Sequence, residues 1–189
     1  MKTIILVITL ACAALAKAQE PISFVEVVEV ENMTANQLYT LANEWFALIF
    51  NDANKVIQMN DPESKQIIAK GNTESTLEFG RLKLASITYF TIKCQFKDGR
   101  YRYEFMQIST KLISGNEYTT LEEWKLKSTY DGMMEYYKTN SINPNMIGKK
   151  GIEKNAADCK HNYETIVTDI QLIATDLKNY MTKIKQDNW

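Results

Sequence analysis

Apolar and polar positions alternate from Ser86 to Thr110, SITYFTIKCQFKDGRYRYEFMQIST, around a central Asp98-Gly99 dipeptide. A period of two is typical of strands with one buried face, and Asp-Gly favours the two-residue type I′ turn of a hairpin. Such a short loop fixes the register, so Lys97 should lie opposite Arg100. The apolar face then carries Phe90, Ile92, Cys94, Phe96, Tyr101, Tyr103 and Phe105. The pattern predicts a long β-hairpin with an aromatic face in the core.

Two stripes with helical spacing flank this hairpin in the sequence. Thr34-Ala35-Asn36-Gln37 has the form of a capping box, and apolar residues then recur every three or four positions up to Ile49. The second stripe predicts an amphipathic helix from about Glu153 to Lys185. Its length is also compatible with coiled-coil pairing, but a single apolar stripe beside an aromatic sheet favours packing on its own domain.

The remaining segments give shorter elements. Three β-branched or alternating stretches predict strands: Ile22–Val30, Lys55–Asn60 and Lys65–Gly71. Residues 72–83 fit either a strand or a partly packed loop. Tyr118–Leu126 is interpreted as one further strand carrying Trp124, and Met133–Tyr137 as a short helix. Any long element before the last helix should be interrupted at Asn143-Pro144-Asn145 and at Gly148.

The first eighteen residues have the layout of a signal peptide. Lys2 gives a positive start, Ile4–Leu15 is apolar on all sides, and small residues follow at Ala14-Leu15-Ala16 or Ala16-Lys17-Ala18. The apolar run is shorter than the roughly 20 residues of a transmembrane helix. We therefore predict an exported protein, periplasmic or secreted, with its mature domain over residues 21–189.

Leu10-Ala11-Cys12 is similar to the motif at which bacterial lipoproteins receive their lipid. Thr9 stands where an aliphatic residue is expected, and the apolar run continues past the cysteine to Ala16. We therefore expect a freely soluble exported protein rather than one anchored through Cys12.

Charge and composition narrow the class of protein. Cleavage after Ala18 leaves 20 basic and 23 acidic residues, a net charge of −3, which gives no electrostatic case for nucleic-acid binding. The chain has only three prolines and seven glycines, so no flexible linker divides it. The length suits one domain with a single core.

Catalytic chemistry has little support in the sequence. No G-x-S-x-G, phosphate-loop or G-x-G-x-x-G motif occurs, so we predict no catalytic residue, cofactor or metal. His161 is the sole histidine, and its neighbours Asp158 and Cys159 are too close in sequence to converge with it on a metal. We interpret it as a surface histidine.

Cys94 and Cys159 remain after cleavage of the predicted signal peptide. If the last helix crosses the sheet, their sulfur atoms would meet in a disulfide, as an exported protein permits. The alternative is a pair of buried free thiols.

The polar face of the hairpin is the candidate interaction face. It carries Tyr89, Lys93, Arg102, Glu104 and Met106. The predicted register places Lys93 opposite Glu104, as in a cross-strand ion pair. The alternative interpretation is a plain solvated sheet face.

Four phrases in this order and spacing resemble a bacterial family known as DUF4468: QLYTLANEWFA (Gln37–Ala47), VIQMND (Val56–Asp61), IIAKG (Ile67–Gly71) and KDGRYRYEF (Lys97–Phe105). The resemblance covers roughly Phe24–Ile108. It implies an α+β fold like that of the TATA-binding protein (TBP-like), a curved antiparallel β-α-β4-α sheet with helices on one face. We expect the long C-terminal helix to pack on that face. The resemblance implies no activity, so no functional residue is carried over.

Taken together, these features favour a non-enzymatic exported binding module that contacts a protein or an envelope component. It would use the uncovered sheet face or the segment 128–151, and should expose a contiguous apolar patch. The second hypothesis is a carrier of small apolar ligands, which requires an enclosed cavity between the long helix and the sheet. An enzyme of a type that no motif reveals comes third.

Overall fold

The computed structural model describes residues 21–50 and 52–183. The predicted signal peptide and Cys12 lie outside this part of the chain. The elements are β1 (Phe24–Glu29), α1 (Ala35–Ile49), α2 (Ala53–Val56), β2 (Ile57–Asp61), β3 (Gln66–Phe79), β4 (Leu82–Lys97), β5 (Arg100–Leu112), β6 (Tyr118–Thr120), α3 (Leu121–Lys127), α4 (Tyr130–Thr139) and α5 (Pro144–Lys183).

All strand pairs are antiparallel, and the sheet has the order β1-β5-β4-β3-β2, with β6 added beside β5. The predicted hairpin is β4–β5, and Lys97 lies opposite Arg100 as expected. The ambiguous segment 72–83 is strand: β3 continues to Phe79 and β4 begins at Leu82.

The turn of this hairpin differs from the predicted type I′. Only Gly99 has a positive φ, of 77°, whereas Asp98 does not, and these signs are those of a type II turn. Contacts with the segment before α1 hold the turn: the Gly99 amide donates to the Met33 carbonyl at 2.8 Å, and Asp98 Oδ1 accepts from the Ala35 amide at 2.7 Å. These tertiary hydrogen bonds thus stabilise a turn conformation that differs from the type I′ turn favoured by the dipeptide alone.

A β-bulge interrupts the hairpin near its open end. Thr91 pairs with Met106, but Tyr89 pairs with Ser109, so β5 has one extra residue in this interval. Gln107 takes up the irregularity with a φ of 54°, and its Oε1 accepts a 2.8 Å hydrogen bond from the Thr91 hydroxyl. The bulge bends β5 and changes which side chains lie beyond it on each face.

The capping box of α1 is confirmed: the Thr34 and Gln37 side chains each bond the other's backbone. The buried stripe of α1 packs on β4 and β5, and α5 packs on β3 and α1. Between these helices and the sheet, Ile92, Cys94 and Phe105 have no exposed surface and Tyr101 has 1%. The predicted α+β arrangement, with the long helix on the aromatic face, is confirmed.

The region after β5 departs from the predicted strand at 118–126. Only Tyr118–Thr120 is strand, because Thr120 caps a helix through its side chain, which accepts from the Glu123 amide at 3.2 Å. The predicted short helix is present as α4. Gly148, with φ 70° and ψ 160°, is non-helical and divides α5 into a short first segment that begins at Pro144 and the long helix that ends at Lys183. The predicted interruption at Gly148 is therefore present.

Candidate functional site

The face of the sheet opposite the helices is called here the uncovered face. Strand register sets its side chains in two adjacent rows: Val25, Glu104, Lys93, Ile68 and Met59 in one, and Val27, Arg102, Gln95, Gln66 and Asp61 in the other. Val25 is 48% exposed and Val27 is 52% exposed. The face therefore mixes apolar and charged positions, with its apolar exposure on β1.

The ion pair on this face is not the predicted one. Lys93 and Glu104 lie opposite each other, but Glu104 Oε2 is bonded by Arg102 Nη2 at 2.8 Å. Arg102 lies two residues from Glu104 on the same strand face, and its second amino group reaches Gln95 Oε1 at 3.3 Å. The planar guanidinium thus bonds both acceptors at once, each through a different nitrogen atom.

Tyr89 and Met106 do not join that network. Met106 lies opposite Thr91, in continuous register with the Lys93–Glu104 pair, whereas Tyr89 lies beyond the bulge and packs against Tyr118, with ring centroids 5.5 Å apart. Burial, together with the neighbouring Tyr118, raises the pKa of Tyr89. Tyr89 lines a separate depression of about 250 Å³ with Lys70, Asn72 and Gln107. Of the five residues predicted as one interaction face, Tyr89 is thus set apart from Lys93, Arg102, Glu104 and Met106 by the bulge.

A larger hollow, of about 410 Å³, lies on the uncovered face beside the β4–β5 turn. We call it the turn-end hollow. Its side-chain wall is formed by Val27, Ser64, Gln95, Lys97, Arg100 and Arg102. Of these residues, the sequence singled out only Arg102. The basic residues on both sides of the turn are apparent in the sequence and could have indicated this site. Ser64 belongs to the β2–β3 turn, and its position beside the hollow depends on tertiary structure.

Of the two alternatives for the cysteines, the pair of buried free thiols is confirmed and the Cys94–Cys159 disulfide is wrong. Cys94 pairs with Ile67 at the start of β3. Cys159 adjoins Asp158, whose carboxylate accepts from the Gly80 amide past the far end of β3. A strand of that length spans roughly 40 Å, whereas a disulfide needs Cα atoms within about 7 Å.

Neither thiol is activated. Burial raises the pKa of Cys94 to about 12, and burial also raises the pKa of Cys159 to about 11. A thiolate is the nucleophilic form of cysteine, so both side chains behave as small apolar core residues.

His161 lies on the exposed side of α5, and its Nε2 is 3.6 Å from Glu78 Oε2. The interpretation as a surface histidine is therefore confirmed. Among residues 21–50 and 52–183, no three His, Cys, Asp or Glu side chains gather as a metal site would require.

A second hollow, of about 360 Å³, opens between the edge strand β1 and α5. Glu26 lies beside it and accepts a hydrogen bond from the Tyr103 hydroxyl, while Lys178 Nζ lies 3.0 Å from the same carboxylate. The hydrogen bonds from Tyr103 and Lys178 lower the pKa of Glu26. These contacts join β1, β5 and α5 at the rim of the hollow.

Residues 24–111 match the model of DUF4468, a domain of unknown function with a TBP-like fold. Just under half of the chain is therefore similar to this family. The resemblance over Phe24–Ile108 is thereby confirmed. The matched range ends within β5 and includes every residue that lines the turn-end hollow.

A solved structure extends the likeness in fold beyond the matched range. A TBP-like protein from Parabacteroides distasonis ATCC 8503 aligns with a TM-score of 0.59 at 14% identity, covering 85% of this chain and 92% of its own. That coverage includes part of the chain after residue 111, and it shows a TBP-like fold. A DUF4468 family protein from Bacteroides ovatus ATCC 8483 aligns with a TM-score of 0.49 at 14% identity, covering 81% and 85% of the two chains.

A relative from Mycoplasma pneumoniae, named an uncharacterized lipoprotein, is 28% identical over 144 residues. The match covers 68% of this chain and 26% of the relative, so the chain spans about a quarter of that protein's length. None of the helices in the described part of the chain combines the length and apolar character needed to cross a membrane.

Proposed function

We propose that the protein is a non-enzymatic, exported binding module that contacts a protein or an envelope component through the uncovered face. The observation that carries the proposal is the exposure of Val25 and Val27, at 48% and 52%, next to the basic residues of β5. Exposed apolar side chains bordered by charges are a frequent feature of interaction surfaces.

Two further observations support binding over the alternatives. The raised pKa values of Cys94 and Cys159 weigh against thiol catalysis. The large apolar side chains between α1, α5 and the sheet are buried, which weighs against the enclosed cavity that the carrier hypothesis requires. The hollow beside β1 is open to the surface instead of enclosed.

Export rests on the signal-peptide pattern, and the name of the lipoprotein relative supports it. That name also makes lipid attachment at Cys12 worth testing. Intact mass of the protein recovered from cells distinguishes a chain cleaved after Ala18, or at the earlier Ala16 site, from one that starts at a lipid-modified Cys12.

The surface is tested by cross-linking and quantitative capture from an envelope extract. The test variant is Val25→Glu/Val27→Glu, and the matched control is Leu172→Glu, which changes a 63% exposed residue on α5. We expect the wild type and the control to recover the same partner, and the test variant to recover at least tenfold less. Equal recovery by all three, with the fold verified by circular dichroism, would reject the uncovered face.

A further inference from the structure

The turn-end hollow concentrates positive charge on a chain whose formal net charge is −1. Lys97, Arg100 and Arg102 line it, and none of its lining residues is acidic. Arg102 is neutralised by Glu104 at 2.8 Å, but Arg100 has only a distant exposed partner, Glu29 at 3.9 Å. Among the described residues, no carboxylate lies within 4.0 Å of Lys97.

Val27 adds an exposed apolar side chain to the hollow, while the Ser64 hydroxyl at its rim already donates to Asp61 Oδ2 at 2.6 Å. The exposed end of Arg100, at 52% side-chain exposure, is free to turn toward a ligand, and a guanidinium binds oxyanions through two parallel hydrogen bonds.

We propose that the turn-end hollow binds a phosphate ester, with the phosphate between Lys97 and Arg100 and the carbon skeleton against Val27. One carboxylate needs only one of these two cations, whereas the near-double charge of a phosphate monoester matches both. A volume of about 410 Å³ holds the phosphate with several carbon atoms. This inference rests on the proposed function, since it names the group that the uncovered face would recognise.

The test is a titration of the ¹⁵N-labelled full chain with glycerol 3-phosphate, inorganic phosphate or acetate at constant ionic strength. We expect millimolar binding, with the largest amide shifts within residues 95–102. Glycerol 3-phosphate should bind more tightly than inorganic phosphate, and acetate should shift these amides least. Amide shifts of equal size with acetate would overturn the assignment of a phosphate ligand. Tighter binding of inorganic phosphate than of glycerol 3-phosphate would overturn the assignment of an ester.

The variant is Lys97→Gln/Arg100→Gln, and the control is Lys149→Gln/Lys160→Gln, which removes the same charge from α5. The first should weaken glycerol 3-phosphate binding at least tenfold, and the second less than twofold. If both double variants weakened binding equally, the binding would depend only on net charge, and the turn-end hollow would be rejected as the site. If probe binding fails while Val25→Glu/Val27→Glu still abolishes partner capture, only this inference is lost and the proposed function stands.

Discussion

At the scale of single residues, two tyrosines on one strand face have opposite hydrogen-bonding states. The Tyr101 hydroxyl is buried and has no hydrogen-bond partner among the described residues, whereas the Tyr103 hydroxyl donates to Glu26. Burial raises the pKa of both phenols. An unsatisfied buried hydroxyl costs about 1–3 kcal/mol, while a paired one contributes to stability.

We therefore predict opposite effects for the same substitution at neighbouring inward positions. Tyr101→Phe should raise the free energy of unfolding by about 1 kcal/mol, and Tyr103→Phe should lower it by about 1 kcal/mol, since it removes a bond to a partly exposed carboxylate. Urea denaturation of the two variants beside the wild type measures both. A loss of stability on Tyr101→Phe would mean that its hydroxyl is satisfied.

The alternation of apolar and polar residues correctly predicted the hairpin, but the ion pair predicted on its polar face was wrong. The alternation around Asp98-Gly99 determines which residues face each other near the turn, because a two-residue loop leaves no freedom of register. It cannot determine which of two cations, Lys93 or Arg102, takes Glu104, because that depends on side-chain shape. Nor does it reveal the bulge at Gln107, where no glycine or proline marks the positive φ.

At the scale of elements, α5 is attached to the β3–β4 turn by one buried side chain. Asn162 has no exposed surface and bonds both backbone groups of Glu78: its Oδ1 accepts from the amide at 2.7 Å, and its Nδ2 donates to the carbonyl at 2.9 Å. Glu78 lies near the end of β3, where fewer strand neighbours remain to take these groups.

We predict that Asn162→Ala lowers the free energy of unfolding by about 2–3 kcal/mol, because it leaves a partly buried amide and carbonyl unpaired. Asn179→Ala is the matched control, since Asn179 is exposed on the same helix and should change stability by less than about 0.5 kcal/mol. The measurement is chemical denaturation. Equal effects of the two substitutions would contradict the role given to Asn162.

The elements that sequence mispredicted are those decided by local capping or by distant contacts. Tyr118–Leu126 has strand composition, yet the Thr120 side chain starts a helix within it, and Trp124 then reaches the Thr110 hydroxyl at 2.8 Å. The disulfide prediction failed because a helical stripe shows which side of α5 is buried, but not which part of the sheet it crosses. Cys159 is buried as expected, at the wrong end of β3.

At the scale of the whole molecule, the hydrophobic periodicity of the sequence predicted the core and therefore the uncovered face. It did not predict the turn-end hollow on that face. Periodicity separates buried from exposed positions, so the uncovered face with Lys93, Arg102 and Glu104 followed from sequence. The turn-end hollow draws on three strands, β1, β4 and β5, and on the β2–β3 turn. Its composition could be read only after the strand order placed β1 next to β5.

The buried thiols and phenols make the stability of the whole fold sensitive to alkali. Burial raises the pKa of Cys94 from 9.0 to about 12, so between these values the unfolded state releases a proton that the native state keeps. The stabilisation is complete below about pH 9 and is lost as the pH rises toward 12, at about 1 kcal/mol per pH unit for one such group.

We predict that the free energy of unfolding of the wild type falls from pH 9 to pH 12. The free energy of unfolding of Cys94→Ala should fall less steeply, by about 1 kcal/mol less per pH unit. Cys159→Ala provides the comparison. The pKa of Cys159 is raised only to about 11, so this variant should retain more of the alkaline dependence than Cys94→Ala as the pH approaches 12. Urea denaturation at half-unit pH intervals gives the slopes. A Cys94→Ala slope identical to the wild type would show that the thiol ionises equally in the folded and unfolded chains.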